Sequence, residues 1–315
     1  MNYRITGTGS CIPDITKKNS DFLENKFLDT DGGKFQTSNS EIIDKFNSIT
    51  GIYERRYAPD EINCSDLAAV AAGLAINDSK LDQETLDYII VAHNTGDISC
   101  SSGQVDTLPS VASKVKAKLK IKNPNCVAYD IICGCPGWVE GIIQAKSFIK
   151  SGMAEKCLVI GCDTLSRILD ENDRDSMIYA DGSGAIVLES DSSYDGGILS
   201  HKSATFTYDG ENDFIFYGTS YDTRKRTKSD QKFIKMQGRK VYEFALKNVP
   251  LAMKSCFDEA DCKIQDLKKI FIHQANQKMD EAIINRFFKL YKLSAPKDIL
   301  PMNICLLYTS DAADE

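Results

Sequence analysis

Short apolar or β-branched runs alternate with longer segments of helical period along most of this chain. That alternation confines it to the α/β folds rather than to a sandwich or a helical bundle. The runs that read as strands are 88–92 (YIIVA), 126–131 (CVAYDI), 157–161 (CLVIG), 185–188 (AIVL) and 270–272 (IFI). The clearest helix spans 136–151: Val139, Ile142, Ile143, Ala145 and Ile149 recur on one face, Pro136 sits at its start and Gly152 follows its end. Further helices are expected over 236–256 and from about 276 to 291. A Gly/Ser/Asp/Tyr-rich stretch, 191–197, separates two halves that repeat the order strand, polar turn, amphipathic helix. An internal duplication is expected on that basis, with one half over 1–190 and the other over 191–304. The polar, basic stretch 208–235 reads as a surface excursion, long enough for a lid or a partner loop.

The composition narrows the function. At 315 residues, 42% hydrophobic and 26% charged, the chain affords a sizeable core, and no apolar run is long enough to span a bilayer. A net charge of -7 and a pI near 5.2 argue against a general affinity for nucleic acid. Residues 1–13 (MNYRITGTGSCIP) lack the charged-then-apolar pattern of an export signal, so a cytoplasmic location is expected. The eleven cysteines are scattered, without paired C-x-x-C spacing, and only three histidines accompany them: His93, His201 and His273. A zinc site and a disulfide framework are both disfavoured, and most of these thiols read as small buried hydrophobes.

The sharpest local pattern is 129–138, YDIICGCPGW, where a strand delivers Cys135 to the first turn of a helix. Unpaired N–H groups and the helix dipole favour an anion there, which lowers a thiol pKa and makes a nucleophilic thiolate. Cys133 competes for the role, but residues two apart at a strand end do not both enter the same helical turn, and Cys133 reads as a packing residue. The second pattern is 271–278, FIHQANQK, with His273 between a strand and a helix. A neutral imidazole N–H there suits the developing negative charge on a thioester carbonyl, and Asn276 is positioned to orient that pocket. His93 and His201 lie outside comparable patterns and read as structural.

Taken in order, YDIICGCPGW, YADGSGAIVLE from Tyr179 and FIHQANQK resemble the motifs of the β-ketoacyl-acyl-carrier-protein synthase III family, within the thiolase superfamily. ITGIYERRYA from Ile49 and IKMQGRKVYEFAL from Ile234 are similar to family segments, so the resemblance covers nearly all of residues 3–304. It implies a thiolase-like fold of duplicated halves in αβαβα layers, with the second half incomplete, and a homodimer. It further implies an acyltransferase of fatty acid biosynthesis that works in two steps. An acyl group passes from coenzyme A or acyl-carrier protein to Cys135, and malonyl-acyl-carrier protein then loses carbon dioxide and attacks it, with His273 as catalytic partner. No metal or redox cofactor is implied; coenzyme A and the carrier's phosphopantetheine enter only as substrate carriers. Basic residues on the helix after HQAN form the family's carrier-protein patch, matched here by Lys278 and Arg286, with Lys289 nearby; a solvated helix face is the alternative.

Departures from the pattern carry expectations of their own. Lys45 and Ile49 occupy the places where many members carry a tryptophan and an arginine that grip the coenzyme A adenine, which favours another acyl donor. Trp138 replaces a smaller aromatic beside the nucleophile and is either core or part of the acyl pocket. After 301–304 (PMNI) the family continues to a G-N-[ST]-S segment bearing an asparagine, whereas this chain reads CLLYTSDAADE, with Tyr308 and Thr309 where glycine and asparagine belong. The expectation is therefore a truncated product with a foreign tail over 305–315 and poor activity. The alternatives are a non-decarboxylative condensation of the same superfamily and a non-catalytic partner subunit; a cysteine-based redox or metal protein rests on the cysteine count alone.

Overall fold

The computed structural model describes residues 2–226 and 231–303. The elements run β1 (Tyr3–Cys11), β2 (Ile15–Lys18), α1 (Asn39–Thr50), β3 (Glu54–Tyr57), α2 (Cys64–Ser79), β4 (Tyr88–His93), β5 (Asp97–Ile98), β6 (Val105–Asp106) and α3 (Val111–Lys118). They continue with β7 (Val127–Ile132), α4 (Gly137–Ser151), β8 (Lys156–Thr164), β9 (Asp181–Ser190), β10 (Ile215–Gly218), α5 (Thr223–Arg226), β11 (Phe233–Met236), α6 (Gly238–Glu259) and α7 (Gln277–Lys289).

Five of these strands form a mixed sheet in the order β1-β9-β8-β4-β7. β4 pairs in parallel with β7 and with β8, while β9 runs antiparallel to both β8 and β1. Helices cover both faces, which explains why β8 is a near-continuous apolar run buried along eight of its nine residues instead of an alternating one. On one face α2 and α3 enclose a core that includes Ile89, Val91, Leu158, Ile160 and Val187. On the other, Ala145 and Ile149 of α4 meet Ile90, Val159 and Leu188. α2 approaches unusually closely because both surfaces are small. Ala68, Ala71, Ala72 and Ala75 are fully buried, and a methyl group added at Gly9 would fall 2.3 Å from the Ala71 carbonyl oxygen.

The second half packs α6 against α7 through Leu246, Met279 and Ile283 and builds a further apolar cluster from Ile284, Phe287, Phe288 and Ile299. Four of the five expected strands are present as β4, β7, β8 and β9, and the expected helices are α4, α6 and α7. The 270–272 run is not a strand. Among the described residues it makes a single backbone bond, Ile270 N–H to Ile299 O at 2.9 Å, instead of a ladder, and apolar β-branched residues do not make a strand without a neighbour to pair with. Among the described residues the second half therefore shows no counterpart of the five-stranded sheet.

Most described residues of the 208–235 segment lie at the surface, and the segment carries ordered structure that its composition did not announce. It contains an antiparallel hairpin of β10 and β11, in register from Ile215↔Met236 to Gly218↔Phe233. Lys235 is 1% exposed and fastens that hairpin inward, donating to Asp170 Oδ2 at 2.7 Å and Asp173 Oδ2 at 3.1 Å, with its ammonium 3.5 Å from the Tyr221 ring centre. A basic composition suggested a surface loop; the buried acidic partners that make it a latch lie some sixty residues away. Among the described residues no helix is long and apolar enough to cross a membrane.

Candidate active site

The parallel strands β4, β7 and β8 all end on one side of the sheet, the side on which open α/β sheets present their ligand-binding loops. At the end of β7 the chain reverses into α4 through Cys133, Gly134, Cys135 and Pro136. Gly134 adopts φ +66, the left-handed conformation that only glycine enters at little cost. Its carbonyl accepts from Gly137 N–H at 2.9 Å, and the Pro136 carbonyl accepts from Glu140 N–H at 3.1 Å, so the helix opens immediately after the cysteine. Pro136 stands at the N-cap and Gly137 is the first helical residue, one position later than expected; Gly152 ends the helix in the left-handed conformation, as its position suggested. Cys135 is half-buried at the positive end of α4, while Cys133 is exposed. Cys133, expected as a packing residue beside the pocket, is exposed because the strand ends before it.

Asn94, which sequence reasoning missed, lies against this turn and is itself held by Asp163. Asn94, just past β4, donates its backbone N–H to Asp163 Oδ1 at 2.9 Å and its side-chain N–H to Asp163 Oδ2 at 2.6 Å. Its amide oxygen lies 3.4 Å from where a Gly134 Cβ would be. One residue earlier, the His93 ring Nε2–H donates to Asp130 Oδ2 at 3.0 Å. Asp130 also accepts from Val111 and Ala112 N–H, both at 2.8 Å, at the start of α3. Burial disfavours the Asp130 charge, but these bonds outweigh it and hold the carboxyl below its usual range.

The 178–180 segment, entering β9, is the other wall. Tyr179 is 7% exposed, and its hydroxyl closes no hydrogen bond among the described residues. Burial pushes its phenol far above the ordinary value, and the neighbouring Cys135 pushes it further. The flanking residues, Ile178 and Ala180, pack with Ile52 against Ala275, in the loop that carries His273. Cys135 and the His273 loop are therefore both neighbours of one three-residue segment. His273 is half-buried. Gln274, beside it, clasps the following chain: its Nε2 donates to Pro301 O at 3.0 Å and its Oε1 accepts from Asn303 N–H at 2.8 Å.

Asn276 is the N-cap of α7, its Oδ1 accepting from Met279 N–H at 3.0 Å. Its side chain is thus engaged in starting the helix, so it fixes the loop that bears His273. Trp138 packs with the apolar layer beneath α4, near Tyr129 and Ile131, and its indole N–H is buried without a partner among the described residues. Lys278 and Lys289 are exposed on α7. Arg286 is also exposed, yet its Nη1 donates to Leu246 O at 2.8 Å and ties α7 to α6. Lys45 and Ile49 lie exposed near the end of α1. No group of three or more His, Cys, Asp or Glu residues arranged to hold a metal ion occurs among the described residues.

Comparison with known proteins agrees with this layout. Residues 129–206 match the family 3-oxoacyl-[acyl-carrier-protein (ACP)] synthase III. The β-ketoacyl-[acyl-carrier-protein] synthase III of Ehrlichia ruminantium is 32% identical over 305 residues, covering 95% of this chain and 84% of that protein. The Neisseria gonorrhoeae protein of the same name is 34% identical, covering 90% of this chain and 80% of the relative. The crystal structure of the Thermus thermophilus synthase III superposes with a TM-score of 0.77 at 27% identity, covering 98% of this chain and 87% of that one. The expectation of a truncated product with a foreign tail is not borne out by these matches, and residues 305–315, on which it rested, lie outside the described residues.

Proposed function

The chain belongs to the β-ketoacyl-acyl-carrier-protein synthase III family, thiolase-like acyltransferases that catalyse 3-oxoacyl-forming condensation, and from that premise we propose that Cys135 is its acyl-accepting nucleophile and His273 its catalytic partner. The Cys135 thiolate, stabilised by the first N–H groups of α4, attacks the thioester carbonyl of an acyl donor carried on coenzyme A or on acyl-carrier protein. The carbon–sulfur bond to the carrier breaks, the carrier leaves as a thiolate that takes a proton from water, and the acyl group remains on Cys135. Malonyl-acyl-carrier protein then binds and its terminal carbon–carboxylate bond breaks, releasing carbon dioxide. The electron pair is held as an enolate whose oxygen accepts from the His273 Nε2–H. The enolate carbon attacks the acyl carbonyl, a carbon–carbon bond forms, and the Cys135 thiolate departs, giving the 3-oxoacyl carrier.

The remaining residues have supporting parts. Asn276 is a positioning residue that acts on His273 through the cap of α7, and Trp138 shapes the acyl side of the pocket. Lys278 and Arg286 offer positive charge to an acidic carrier protein, Arg286 with one N–H already engaged at Leu246 O. The protein works as a homodimer in the cytoplasm, without a resident metal or redox group. The observation that supports the reading most is the 178–180 segment, which neighbours both Cys135 and the His273 loop. The test is mass spectrometry of the protein after exposure to acyl donors, together with product formation from malonyl-carrier protein. A labile acyl adduct on Cys135 that Cys135→Ala abolishes, and condensation that requires malonyl-carrier protein, are expected. An unmodified Cys135 in a folded protein refutes the assignment, and condensation without malonyl-carrier protein indicates the non-decarboxylative reaction.

A further inference from the structure

The second half of α4, together with residues 199–201 and the end of α6, lines an open cleft of about 660 Å³ that the condensing reaction does not use. Lys146 and Lys150 line it from α4, and His201 and Glu259 line it from the second half. Cys135 lies eleven residues earlier in the chain, about 16 Å away at the rise of an α-helix.

Lysines near a helix C-terminus are ordinarily solvated and complement the helix dipole, and Lys150, which is exposed, fits that description. Lys146 does not. It is 5% exposed, its ammonium donates to Nδ1 of His201 at 3.3 Å, and it forms no ion pair with a carboxylate among the described residues. A buried ammonium without a counter-charge is unfavourable. Burial, then the neighbouring Lys150, push its pKa below the ordinary value.

The hydroxyl groups around the cleft are not available to a ligand as donors. Ser147 donates to Ile143 O at 2.7 Å, Ser151 to Phe148 O at 3.0 Å and Ser200 to Cys256 O at 2.6 Å. The donors that remain are two ammonium groups and the Nε2–H of a His201 whose Nδ1 is the acceptor for Lys146. The one acidic residue of the wall, Glu259, is paired with Lys202 at 2.9 Å. Such a donor set suits a multiply charged oxyanion and has little to offer a neutral molecule. The cleft is open to solvent on one side and is wider than a bare phosphate, so a ligand held there by its phosphate keeps the rest of its surface partly exposed.

We propose that this cleft binds a phosphate-bearing small molecule, its phosphate group held by Lys146, Lys150 and His201. Titration calorimetry of the full chain at low salt, with inorganic phosphate and separately with a nucleoside monophosphate, tests it. Saturable binding of at least one of these anions is expected, weakened about ten- to a hundredfold in Lys146→Met and in Lys150→Gln, as befits loss of a charge-assisted hydrogen bond. A free phosphate site gives equal affinity for the two anions; a site for a phosphorylated organic ligand gives tighter binding of the nucleotide. Acylation of Cys135 serves as the control for folding, since neither lysine takes part in it. Should Lys146→Met not fold, Lys150→Gln and His201→Gln, both on exposed side chains, decide the matter. Absence of saturable binding below about 10 mM, a level already weaker than a functional small-molecule site, or binding unchanged in the folded variants, overturns the proposal.

Discussion

Gly134 shapes the turn that carries Cys135 into α4. Its φ of +66 is the left-handed conformation, and among the described residues space is not the constraint, because an added Cβ would meet nothing closer than Asn94 Oδ1 at 3.4 Å. Gly134→Ala therefore strains the backbone without a clash, at about 1–2 kcal/mol. The expected result is a folded protein, slightly less stable in urea titration, whose rate of Cys135 acylation falls at least about tenfold, because misplacing a nucleophile by an ångström is costly. An unchanged rate would show that the turn is not what aims the sulfur. Tyr179 carries the opposite kind of prediction. Its buried hydroxyl closes no hydrogen bond among the described residues, and an orphaned polar group costs about 1–3 kcal/mol. Tyr179→Phe is expected to raise the melting temperature of the unliganded protein; a fall would reveal a partner that the phenol had been satisfying.

The β10–β11 hairpin is fastened by a buried charge, Lys235, alongside the apolar packing of Ile234. Removing Lys235 leaves Asp170 and Asp173, 2% and 6% exposed, without their cation. Breaking such a buried arrangement from one side typically costs about 3–5 kcal/mol. Lys235→Met is therefore expected to lower stability by that amount and to open the hairpin to protease before the rest of the chain, whereas an ordinary surface lysine would do neither. This latch also marks where the sequence stops being readable. α4 was legible because its signals are local: proline before, glycine after, apolar residues at helical spacing between. The Cys135 turn was legible for the same reason, whereas the capping of α7 by Asn276 was not read from the sequence. Lys235 with Asp170, Asn94 with Asp163, and Tyr179 beside Cys135 are pairings between distant segments, and no periodicity announces them. The 270–272 run failed in the other direction: its residues have strand character, but a ladder depends on a neighbour that the run itself does not encode.

For the molecule as a whole, the buried carboxyls set opposing dependences on pH. Asp130 and Asp170 are held below the ordinary range because their hydrogen bonds outweigh burial. Their contribution is present above the ordinary value of 3.8 and is lost as the pH falls through their lower folded values. Asp280, fully buried on α7, behaves in reverse. Burial pushes its pKa up to about 8, with Glu281 adding to the rise. The nearby Asn276 amide offsets part of this, and neither carboxyl oxygen closes a hydrogen bond among the described residues. Between 3.8 and about 8 the folded state therefore keeps a proton that the unfolded chain has released, so stability falls as the pH rises through that window. The full penalty, of the order of 5 kcal/mol from the size of the shift, is reached above it. The two effects together place maximum stability on the acid side of neutrality. Urea denaturation at pH 5, 6, 7 and 8 is expected to show the parent losing stability at each step and Asp280→Asn, which cannot titrate, losing far less. Parallel curves for the two proteins would mean that Asp280 is not the group that sets this slope.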